Sequence, residues 1–176
     1  HPLHRAPAGD VNAWWIPRHL LTAGTRGRRL RVMEQVHGTC VEVDGTAVLL
    51  RGPPGSGKSD LALRLIEGGA RLVADDRADI ELKDGRLVVS PPPAIAGLLE
   101  VNGQGVFKVG FLAHSPLGLV VDLVSENEVQ RLPEPRSWQC LGVSVPVLAL
   151  APFHASSMAK VRLAVRSVAG DVIRVP

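Results

Sequence analysis

The chain has 176 residues, 45% hydrophobic and 21% charged, which suits one soluble domain and excludes a disordered or fibrous composition. No apolar run approaches the roughly 20 residues that a helical membrane span needs, and no basic start runs into an apolar stretch. The formal net charge of +3 is a property of residues 1–31, which hold six arginines against the single acid Asp10. The rest of the chain is close to neutral. With no Tyr, three Phe and three Trp, it lacks the stacking platforms of a single-strand nucleic-acid binder.

In chain order, residues 1–30 mix Pro, Gly, Arg and two adjacent Trp without periodicity, and read as a basic, mobile leader. Order is expected from Arg31. Val41-Glu42-Val43, the Asp44-Gly45 turn signal and the β-rich Thr46–Leu50 predict a hairpin. Asp60–Glu67 predicts a helix stopped by Gly68-Gly69, and Arg71–Ala74 a short strand ending in Asp75-Asp76. A second hairpin is expected around Asp84-Gly85, and a break at Pro91-Pro92-Pro93. Gly103 and Gly105 mark a turn or loop between short strands over Leu98–Val109. Leu117–Val124, carrying Asp122, and Val143–Leu150 read as buried strands. Ala155–Val168 reads as an amphipathic helix with Met158, Val161, Val165 and Val168 on one side. Residues 31–168 form the expected domain and 169–176 a C-terminal tail. The fold class is α/β: a mixed sheet around a nucleotide-binding loop, with flanking helices and β-hairpins. Cys40 and Cys140 have no metal-type spacing and are expected to be reduced thiols of a cytoplasmic protein.

Gly52-Pro53-Pro54-Gly55-Ser56-Gly57-Lys58-Ser59 matches G-x-x-x-x-G-K-[ST] in full, between a β-rich run and a helical pattern. Such a loop wraps phosphate with successive backbone N–H groups, backed by the positive end of the following helix. Lys58 is expected to bridge the β- and γ-phosphates of ATP, and the Ser59 hydroxyl to coordinate Mg²⁺. Asp75 and Asp76, one short βα step further on, are expected beside the loop, one facing the γ-phosphate as a base and the other metal or solvent. An exposed Asp-rich turn is the alternative. Taken alone, Glu100, His37, His114 and His154 read as surface or structural residues.

Four landmarks in order resemble the C-terminal domain of HPr kinase/phosphorylase. They are Val36-His37-Gly38, the phosphate loop, Leu72-Val73-Ala74-Asp75-Asp76, and Leu99-Glu100-Val101-Asn102-Gly103-Gln104-Gly105. The resemblance covers residues 31–168 and looks like the short form without the N-terminal domain of longer members. It implies an ATP-dependent kinase, and in reverse a phosphorylase, acting on a seryl hydroxyl of an HPr-like phosphocarrier of the phosphotransferase system. It also implies Asp75 as proton acceptor with His37 beside it, Lys58 on the transferring phosphoryl, Mg²⁺ on Ser59 and Glu100, and a homo-oligomer, a hexamer by resemblance. No nucleic acid or membrane partner is expected.

Three departures from that family's pattern stand out. Asn102 replaces an arginine, Gln104 a bulky aliphatic residue, and Pro152-Phe153-His154 stands where longer members carry another arginine. Lost guanidinium groups weaken the reverse reaction more than the forward one. Two further readings are an ATP-sensing regulatory module without phosphotransfer and a small-molecule kinase.

Overall fold

A computed structural model describes residues 32–176, so the expected basic leader lies outside the described residues. The chain runs β1 (Met33–His37), β2 (Thr39–Val43), β3 (Thr46–Arg51), α1 (Lys58–Glu67), β4 (Arg71–Ala74), β5 (Arg77–Lys83) and β6 (Arg86–Ser90). It continues through β7 (Leu98–Val101), β8 (Gly105–Lys108), β9 (Ser115–Leu123), β10 (Arg136–Cys140), β11 (Val143–Leu150) and α2 (Ser157–Val168). The expected mixed α/β architecture is present. Nine strands form one sheet in the order β1-β5-β6-β9-β3-β2-β4, with β11 joined to β9 and β10 to β11, while β7 and β8 pair apart.

The strand directions decide where a ligand can sit. β3 and β11 both run parallel to β9, and β2 is antiparallel to both β3 and β4. The carboxyl ends of β3, β4, β9 and β11 therefore point the same way, and ligands of open α/β sheets gather at that edge. The central strands are buried on both faces, which is why they read as unbroken apolar runs. Val48 and Leu50 of β3 pack with Leu119 and Val121 of β9 under Leu61 and Leu65 of α1. On the opposite face Ala47, Leu49 and Val120 join Ile80, Val89 and Cys140. Both cysteines are free and buried, and burial pushes both thiols well above their ordinary range.

The hairpin turns follow sequence chemistry. Asp44-Gly45 and Asp84-Gly85 take positive φ at both central positions, the twist-matched geometry for a two-residue loop. β10 was not expected. It is tied to β11 by Leu141-Gly142 with φ of 47° and 79°, the same kind of turn made by a leucine that rarely adopts it. In α2 the buried seam is Ser157, Val161 and Val165 rather than the expected set ending at Val168, which is 42% exposed. Ser157 can occupy the seam because its hydroxyl donates to the Ala151 carbonyl at 2.8 Å and accepts from the His154 N–H at 3.1 Å.

Candidate phosphate-binding site

α1 begins within the glycine-rich loop, two residues earlier than its apolar pattern suggests. Gly57 caps it at φ 100°, and its carbonyl accepts the Leu61 N–H at 2.9 Å. A side chain at Gly57 would be strained, and its Cβ would lie 2.8 Å from the Phe153 ring. The N–H groups of the first helical turn have no partner within the helix and face the loop, which makes an anion site. Lys58 is folded onto that loop, donating to the Gly52 carbonyl at 2.8 Å and the Pro53 carbonyl at 3.0 Å. Burial pushes its ammonium below the ordinary 10.5, while the charges of Asp75 and Asp76 pull the other way. Ser56 stands apart: its hydroxyl oxygen is buried with no partner among the described residues.

The two aspartates separate completely. Asp75 is 6% exposed. One of its oxygens accepts from Thr39 Oγ1 at 2.8 Å and from Ser59 Oγ at 2.9 Å, and the other accepts from the Glu100 N–H at 2.9 Å. That single carboxylate ties the phosphate loop to β2 and to β7. Asp76 sits in the left-handed region at φ 69°, which short Asp side chains tolerate. Its side chain is 75% exposed, with Arg77 Nε 3.7 Å away.

His37 lies at the end of β1, where the next residue, Gly38, donates its N–H to the Asp76 carbonyl at 3.0 Å. Gly38 has no room for a side chain, because a Cβ there would come 2.7 Å from the Leu50 carbonyl oxygen. The break at Gly38 lets β1 pair with β5 while β2 pairs with β3. This places His37 and Thr39 in one cleft of about 800 Å³ with Lys58, Ser59, both aspartates and Glu100. Gly52, Pro54, Gly55 and Asn102 also line it. Every residue expected at the site reaches this cleft except Pro53 and Ser56, which line a neighbouring cavity. His154 lies in that second cavity, 3.6 Å from Glu126, and His114 lines neither. Thr39 was not expected at the site, and Phe153 was noted only as part of the Pro152-Phe153-His154 departure. Thr39 had a weak signal: a threonine two residues after His37, just past the glycine break.

The profile of the HPr Serine kinase C-terminal domain matches residues 28–165. The chain belongs to that family. Among relatives named HPr kinase/phosphorylase, the chain is 34% identical over 146 residues to that of Clostridium beijerinckii, covering 79% of this chain and 47% of the relative. The Geobacillus thermodenitrificans protein is 37% identical over 127 residues, covering 65% and 41%. The chain thus spans less than half the length of these relatives. A solved structure titled HPr(Ser) kinase/phosphatase from Coxiella burnetii superposes with a TM-score of 0.66 at 25% identity, covering 78% of this chain and 89% of that one. The α/β architecture described above is that of this family. Among the described residues, no helix is long and apolar enough to cross a membrane.

Proposed function

We propose that the chain transfers the γ-phosphoryl group of ATP to a seryl hydroxyl of an HPr-like phosphocarrier protein. The observation that carries this reading is the meeting of the phosphate loop, Lys58 and two differently placed carboxylates in one cleft. The relatives named for HPr supply the acceptor. The phosphates would lie against the loop N–H groups, displacing Lys58 from the Gly52 and Pro53 carbonyls onto the β- and γ-phosphates. Anionic oxygens beside it would favour the charged ammonium, against the burial that now disfavours it.

The geometry favours Asp76 as the proton acceptor and Asp75 as the positioning group. Three donors already occupy the Asp75 oxygens, whereas Asp76 faces solvent with one long ion pair. The serine hydroxyl would give its proton to Asp76 as its oxygen bonds the γ-phosphorus, and ADP would leave. His37, joined to the Asp76 backbone through Gly38, would orient that carboxylate. The donors at hand fit Mg²⁺. The Ser59 hydroxyl and Asp75 carboxylate lie together and Glu100 lines the same cleft, a hard-oxygen set of the kind Mg²⁺ takes beside substrate phosphates. When bound, the ion neutralises phosphate charge. In phosphorolysis, inorganic phosphate would take the phosphoryl group from phosphoserine to give pyrophosphate, and protonated Asp76 would return its proton to the departing seryl oxygen. A homo-oligomer remains part of the proposal, and light scattering of the purified chain tests it.

Labelled transfer from γ-³²P ATP to the phosphocarrier, in wild type, Asp76→Asn and Asp75→Asn, tests the reading. Asp76→Asn should lower kcat by at least roughly a hundredfold while ATP still binds. ATP binding without transfer by the wild type would instead support a regulatory module.

A further inference from the structure

Beside the phosphate cleft lies a second cavity of about 740 Å³, and Phe153 lines both. Three parallel strands deliver its walls. Pro53 follows β3, Leu123 to Glu126 end and follow β9, and Ala151 to His154 follow β11. This is the carboxyl edge where the sheet gathers ligands. Its walls combine apolar groups from Leu123, Val124 and Pro152 with the polar side chains of Ser125, Glu126, Glu128 and His154, a mixture that offers hydrogen-bond acceptors beside an apolar face. Phe153 is 71% exposed, an unusual state for a large aromatic residue, and its ring reaches the glycine that caps α1.

Resting on the ATP-binding reading above, we propose that this second cavity is the nucleoside subsite and that Phe153 is its stacking platform. The triphosphate occupies the loop. The base leaves the loop past Gly57, lies on the Phe153 ring and enters the space between the ends of β9 and β11. A π-face accepts any base, so stacking supplies affinity with little choice between adenine and guanine. The segment that carries the ring is anchored at both sides. Arg64 donates to the Pro152 carbonyl, and Ser157 ties the Ala151 carbonyl to the start of α2.

The test is calorimetric binding of ATP and of inorganic tripolyphosphate to the full chain, in wild type, Phe153→Ala and Phe153→Trp. Phe153→Ala should weaken ATP by roughly five- to a hundredfold and leave tripolyphosphate unchanged. Phe153→Trp should retain ATP affinity. Equal weakening of both ligands would overturn the subsite, because the ring would then only support the loop. Unchanged ATP affinity in Phe153→Ala would overturn it too. Failure of the wild type to bind either ligand would overturn the phosphate-site reading itself, and the subsite with it.

Discussion

Two walls of the same cleft are built in opposite ways. On the Asp75 side, a buried carboxylate collects donors from β2, α1 and β7, and its neighbours belong to strands buried on both faces. On the β7–β8 side, a two-stranded ribbon pairs only with itself, and all four residues of β8 are exposed. Leu99 is the exception, 2% exposed, and the Glu100 N–H joins it in tethering the ribbon. The first wall is fixed by hydrogen bonds to a buried carboxylate, whereas the second is held by few contacts. Isolated two-stranded ribbons are marginal without such packing. On the proposed function, the first wall would position the phosphates and the second would be the one open to an acceptor.

The sharpest way to break that contrast is at the first wall. Lys58→Met should cut phosphotransfer roughly a thousandfold while leaving the fold intact. Because burial lowers the Lys58 pKa, its charge costs stability while it is held, below the folded value. That cost fades as pH rises through the window beneath 10.5, so wild type should gain stability relative to Lys58→Met as pH rises there. Thermal melts across that window check the sign.

Next in size is the separation of the aspartates. Asp75→Ala strands the Thr39 hydroxyl, the Ser59 hydroxyl and the Glu100 N–H, and should cost about 3 kcal/mol in urea denaturation. Asp76→Gly should instead gain up to about 1 kcal/mol, since it relieves a left-handed φ and loses only an exposed ion pair. Similar losses for both would erase the distinction drawn between them. The ribbon spans a graded pair of effects. Leu99→Ala should cost about 2 kcal/mol by removing its anchor. Val106→Thr, on the exposed strand, should change stability by less than about 0.5 kcal/mol. Amide exchange should show the β8 amides opening well before those of β3.

Much of this was written locally in the sequence. The phosphate loop, the helix behind it and the Asp-Gly turns each depend on neighbours a few residues away, and each was legible. β10 was not, because its turn uses Leu141 in a conformation that leucine signals poorly. The α2 seam was misjudged at Val168 and Ser157 because a hydroxyl satisfied by the Ala151 carbonyl packs as an apolar group would.

The sequence by itself determined an α/β domain with a phosphate-loop motif, since the motif's glycines, Lys58 and Ser59 act through short-range backbone geometry. Only the tertiary structure decided that Asp75 is a buried junction and Asp76 an open carboxylate. The pair forms the turn between β4 and β5, with Asp76 in a left-handed conformation, and which carboxylate faces the core depends on strands paired from far along the chain. The second cavity has the same origin: Leu123 and Phe153 meet at the loop because β9 and β11 run parallel to β3, a pairing that local sequence does not record.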